Sequence, residues 1–253
     1  MKATGSASVK TDAERMTSTE AVLEALVQAA RAALGSELLS VVLFGSAADG
    51  RLRATSDVNL LMLLKSFAPA GIDALREPLR LAHAVARVEV MFLLEDELPV
   101  AASLFAVKFN DIRSRHRILW GSNPFASLAI DEADLRRRLR EILLNLAIRL
   151  RERYALVSLR EEQLGNILAE ASGPLRAAAA ALLNLQGKTA AAPREALETV
   201  AAATQERAFT EAVALLPQAR QQERLAPGSG ASALLALSQL ASRLRLALEG
   251  ETP

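Results

Sequence analysis

Residues 18 to 34, STEAVLEALVQAARAAL, set Val22, Leu23, Leu26, Val27 and Ala30 at the three- and four-residue spacing of an amphipathic helix. Ser18 or Thr19 would cap it and Gly35 would stop it. The period then changes. LLSVVLF, ending before Gly45, and DVNLLMLL, opening at Asp57, are short apolar runs bounded by turn residues, the pattern of buried strands. Residues 72–86 return to helical spacing. In RVEVMFLL, Val88 and Val90 fall on one face and Glu89 on the other, which reads as a third strand. Helix, strand, loop, strand, helix, strand predicts an α+β domain, a small mixed sheet with flanking helices.

Near GSNPFASLAID the pattern changes for good. Asp131 is an N-cap candidate, and after it Leu135, Leu139, Ile142, Leu143, Leu146, Leu150 and Tyr154 recur every three or four residues. Further helices are expected over 159–185, 194–215 and 231–249. Pro174, Gly187, Pro193, Pro217 and the APGSG at 226–230 separate or kink them. This second half predicts an all-α helical bundle. The expected organisation is a flexible tail over 1–17, an α+β domain over 18–130 and the bundle over 131–253.

Composition narrows the chemistry. Of the 253 residues 51% are apolar, yet no apolar run reaches the roughly eighteen residues of a membrane span. MKATGSASVKTDAER lacks the apolar centre of a secretory signal, and cysteine is absent, so a soluble cytoplasmic protein is expected. Only His83 and His116 could supply imidazole, which leaves carboxylates to carry any metal. A net charge of +1 provides no global field for nucleic acid or membrane. The excess of arginine over lysine fits a GC-rich genome.

Against that background one constellation stands out. A Gly45-Ser46 pair directly after a strand lets the backbone approach a phosphate, with N–H groups and a hydroxyl to bind its oxygens. The next strand opens Ser56-Asp57-Val58-Asn59, and alternation puts positions 57 and 59 on one face. Glu89 would bring a carboxylate to that face from a neighbouring strand. Such an oxygen-rich cluster suits Mg²⁺ or Mn²⁺ together with triphosphate oxygens. Two such ions would clamp the attacking and leaving oxygens of a phosphoryl-type transfer.

GSAADGRLRATSDVNLL and RVEVMFLLEDEL together resemble the polymerase-β type nucleotidyltransferase superfamily, and are most similar to its bacterial streptomycin/spectinomycin adenylyltransferase group. The motif likeness runs over about residues 38 to 97, and the pairing with a C-terminal helical domain extends the likeness in layout. The resemblance implies a nucleotidyltransferase domain and an ATP or other NTP donor cradled by Gly45 and Ser46. It also implies metal ligation at Asp57 and at Glu89, the latter alternatively a base for the acceptor hydroxyl. Asn59 stands where the family carries a second metal-binding Asp. An amide brings no charge, so transfer is expected to weaken by about a hundredfold, by analogy with loss of one electrostatic stabiliser.

Other residues carry two readings. Arg53, with Ser56 in the same loop, either meets phosphate oxygens or is an exposed loop charge; Arg51 is a lesser candidate. Trp120 either packs at a junction or stacks on a ligand. His83 reads as structural, His116 in RSRHR as part of a solvated turn, and Glu95, Asp96 and Glu97 as a solvated strand end.

Three classes of function follow. One is an enzyme moving a nucleoside monophosphate, AMP from ATP first, to a hydroxyl on a small molecule or protein. Another is an inactive nucleotidyltransferase-fold protein that binds nucleotide or a protein partner, and the third is an antitoxin-like component. A polycationic acceptor is disfavoured by the 16 basic against 15 acidic side chains of residues 131–253. Nucleic acid is disfavoured because Tyr154 and Phe209 are that segment's only aromatics. An oligomer is compatible with all three.

Overall fold

The structure, a computed structural model, describes residues 12–50, 57–188, 192–221 and 224–249. It divides into two compact units, one made of 1–102 and 112–129, the other of 103–111 and 130–253.

The first unit is built on a four-stranded mixed sheet. Its elements are α1 (Asp12–Leu34), β1 (Leu38–Phe44), β2 (Val58–Leu64), α2 (Pro69–Ala74), α3 (Arg76–Ala86) and β3 (Val88–Leu94), with β4 (His116–Gly121) last. Strand order is β3-β2-β1-β4; β2 and β3 run parallel and the other two pairs antiparallel. A parallel neighbour needs a crossover, and α2 and α3 supply it. On one face Val41, Leu43, Val58, Leu60, Met62 and Leu64 pack with Leu23, Leu26, Val27 and Ala30 of α1. Because side chains alternate along a strand, Asn59 takes the opposite face from Val58 and Leu60.

Several expectations shift. Helix α1 starts at Asp12, inside the stretch assigned to a tail, and residues 1–11 lie outside the described part. The 72–86 helix is two, broken at Leu75. Two helices were not foreseen, α4 (Leu98–Leu104) and α5 (Ala106–Ser114). Nor was β4, in which His116 is a strand residue whose ring meets Phe125 edge-on at 5.1 Å between centroids. Trp120 pairs with Val41 in the sheet, packs partly buried against the unit's core and lies 5.7 Å from the Arg31 guanidinium.

Among the described residues beyond 130 the second unit's regular elements are helices: α6 (Glu132–Val157), α7 (Glu161–Leu185), α8 (Pro193–Ala203), α9 (Arg207–Arg220) and α10 (Ser229–Ala247). The stripe from Leu135 to Leu150 is its core, joined by Leu164, Leu168, Leu234 and Leu240. The expected 194–215 helix is divided at Thr204–Glu206, where Gln205 adopts φ 60° and Thr204 closes the turn on Ala201. Asp131 caps α6 by accepting from Ala133 N at 2.6 Å. Among the described residues no helix is long and apolar enough to cross a membrane.

Candidate nucleotide and metal site

The site forms where three adjacent strands meet loop ends. β1 finishes at Phe44, which pairs with Asn59 of β2. Asn59 in turn pairs with Glu89 of β3. One cross-strand row therefore reads Phe44, Asn59, Glu89, and the Gly45-Ser46 turn leaves directly from its first member.

Gly45 adopts φ 78°, a left-handed conformation that costs little only without a Cβ. Its Cα–H side faces Asn59: a Cβ there would stand 3.7 Å from Asn59 Nδ2. A single 3₁₀ turn, Gly45–Ala47, follows, closed by Ala48 N donating to Gly45 O at 3.1 Å. Asp49, just beyond, accepts from Arg115 at 2.9 Å, which ties this loop to the start of β4. Arg53 and Ser56 lie outside the described residues, as does Arg51.

Asp57 immediately precedes β2. Its backbone carbonyl accepts from Asn59 Nδ2 at 3.4 Å, so the amide's donor end is turned toward Asp57 and Gly45. Its carboxylate is engaged by a residue that periodicity did not single out. Arg87 Nε and a terminal guanidinium nitrogen donate to Asp57 Oδ1 at 2.8 and 2.7 Å. Arg87 ends α3 with φ 52° and ψ 41°, donates its N–H to His83 O at 2.8 Å, and accepts from Val58 N at 3.1 Å. The same residue thus terminates a helix, starts the parallel pairing and reaches the first acid.

His83, read as structural, contacts both the strand backbone and an acid. It is exposed, and its Nδ1 lies 3.2 Å from Val88 O and 3.5 Å from Glu89 Oε1. His83 and Arg87 are one helical turn apart, so each of the two acids has a basic neighbour from the end of α3. The spacing H-A-V-A-R before V-E-V was the available signal: i, i+4 bases directly ahead of a strand acid. Glu97, read as a solvated strand end, accepts from Leu94 N at 2.9 Å and closes the turn after β3.

Two carboxylates and an amide oxygen can surround one hard cation, with phosphate oxygens and water filling the remaining positions. Asn59 adds an amide to this row and no charge. Among the described residues no group of three or more His, Asp or Glu side chains is arranged to hold a metal ion. Any ion held here would need phosphate oxygens or water to complete its coordination, and not a closed protein cage.

No protein-family model and no curated protein matches the sequence. Among solved structures the chain is similar to the spectinomycin adenyltransferase AAD(9) from Enterococcus faecialis, crystallised with ATP and spectinomycin. The TM-score is 0.61 at 14% identity, over 89% of this chain and 98% of that one. At that identity the likeness is one of fold, and it extends to both units of the chain.

Proposed function

We propose that this chain is a nucleotidyltransferase-like protein that binds a nucleoside triphosphate, ATP first, at the Gly45-Ser46 turn. It moves the nucleoside monophosphate onto a hydroxyl of a small molecule or protein, at a rate curtailed by Asn59. The observation that carries this reading is the row Phe44–Asn59–Glu89, with Asp57 at its mouth and a left-handed glycine beside it. ATP as donor makes the cytoplasm the expected compartment.

In this reading the N–H groups of residues 45–47 and the Ser46 hydroxyl bind phosphate oxygens. Asp57, the Asn59 amide oxygen and Glu89 would hold a divalent ion, Mg²⁺ or Mn²⁺, which would offset the charge of the triphosphate. Glu89 accepts the acceptor hydroxyl's proton as its oxygen forms a bond to the α-phosphorus. The bond from that phosphorus to the bridging oxygen breaks, and pyrophosphate leaves with the electron pair. Arg53 and Ser56 are further phosphate contacts in this proposal.

The Asp57–Arg87 ion pair, with an amide at position 59, favours a second reading: a protein of this fold that keeps the nucleotide pocket or a partner surface without turnover, an antitoxin-like role included. One experiment separates the two. The purified protein, Asp57→Ala and Asn59→Asp are incubated with α-labelled ATP, Mg²⁺ or Mn²⁺, and an acceptor panel that includes spectinomycin, the compound held by the similar structure. Transfer by the native chain that is lost in Asp57→Ala supports the enzyme. Calorimetric ATP binding without transfer supports the binding protein, and absence of both removes the nucleotide reading altogether.

A further inference from the structure

We propose that Arg87 is the resident counter-ion of Asp57 and competes with a divalent cation for it, an inference that rests on reading Asp57 as the metal ligand. Two guanidinium nitrogens converge on one carboxylate oxygen, at 2.8 and 2.7 Å. That oxygen belongs to the acid immediately before β2, the one read as the metal ligand. A metal and the guanidinium therefore claim the same charge.

The backbone explains why the arginine is held there. Its left-handed φ of 52° closes α3, while its carbonyl is anchored to Val58 N, the residue after Asp57. The side chain needs only to fold back over its own attachment point. The C-terminal end of α3 also favours positive charge, and His83 sits one turn earlier beside Glu89. Without a cation the two acids are therefore not left as bare neighbours.

Exposure decides how the pair behaves. The side chains of Arg87 and Asp57 are 59% and 44% accessible, so solvent screens their attraction and a pair of this kind is weak. A weak partner can be displaced. Arg87 lowers the apparent affinity for a divalent ion without abolishing it, and once displaced its fork of donors is free to meet phosphate oxygens.

The test is Mn²⁺ titration of the full chain without nucleotide, following the free-ion signal by electron paramagnetic resonance. Arg87→Gly removes the charge at a position whose φ glycine adopts readily, and the carbonyl bond to Val58 does not depend on the side chain. Arg87→Gln, which keeps the side-chain stem, serves as the second uncharged variant. Both should bind Mn²⁺ about threefold more tightly than the native chain. Arg87→Lys should stay near native, and in an Asp57→Asn background Arg87→Gly should change nothing. Unchanged or weaker binding in both uncharged variants overturns the proposal, as does equal tightening when Asp57 is already Asn. Calorimetry with ATP on the same proteins keeps the two readings apart. Tighter Mn²⁺ binding with no ATP binding in any of them sinks the nucleotide function and leaves the counter-ion role standing.

Discussion

Asn59 stands between Glu89 on one side and Phe44 on the other, in register with both. In the proposed reading this is the position a second acid would take, and an amide stands there. Replacing Asn59 by Asp should raise metal-dependent transfer from ATP by about a hundredfold, the scale of one electrostatic stabiliser. Movement of label from α-labelled ATP onto the acceptor checks it. A variant no faster than the native chain would show that the row is not where the reaction takes place.

Glu89 is the acid whose loss should separate binding from chemistry. Its side chain is 58% exposed. Glu89→Gln should leave the melting temperature within about a degree of native, since surface changes of this kind are small. Transfer should fall by about a hundredfold or more. A variant that keeps full turnover would remove Glu89 from the reaction.

Gly121 is a point of no tolerance in the same unit. It has φ 82°, and a Cβ would lie 2.1 Å from Leu39 O and 2.9 Å from Ser40 Cα. Backbone atoms cannot step aside as a flexible side chain can. Gly121→Ala should cost about 3 kcal/mol and loosen β4 from β1, read as a lowered denaturant midpoint. A midpoint equal to the native value would contradict the close approach.

Asp134 sets an acid limit for the helical unit. It lies in the first turn of α6, where the Ser103 hydroxyl donates to one carboxylate oxygen and Arg137 pairs with the other at 2.6 Å. The Ser103 bond, aided by Arg137 and opposed by desolvation, holds its carboxyl below the usual carboxylate range. A lowered folded value means the contribution is present above the unfolded carboxyl's range and is lost as pH falls through the lowered value. Melting temperature should therefore drop on acidification more in the native chain than in Ser103→Ala. Parallel curves for the two proteins would remove Asp134 from the acid response.

Leu139 tests the bundle itself. It is fully buried in the stripe that runs along α6. Leu139→Ala should cost about 3 kcal/mol through lost transfer energy and a residual cavity. Chemical unfolding measures it, and a loss near zero would mean the stripe does not face the core.

The sequence made legible what depends on period. Apolar runs at strand length located β1, β2 and β3, and the α6 stripe located the bundle, because burial on one face leaves a repeating trace. β4 was harder to see: HRILWG carries His and Arg at its start and shares no clean alternation, since it is held through pairing with β1. The break at Thr204–Glu206 depends on backbone bonds that the alanine-rich pattern does not report. Asp57, Asn59 and Glu89 were legible as a motif. Arg87 and His83 were not, because their part is set by a left-handed residue that turns the chain from helix to strand and brings both side chains back over the acids.

That left-handed junction has an evolutionary corollary. The chain's route from α3 into β3 is fixed by main-chain bonds, so residue 87 can change its side chain while the scaffold keeps its course. Position 59 sits on a finished strand and has the same freedom. On the proposed metal reading, cation demand is tuned up or down by two single-residue exchanges, with neither requiring the sheet to be rebuilt.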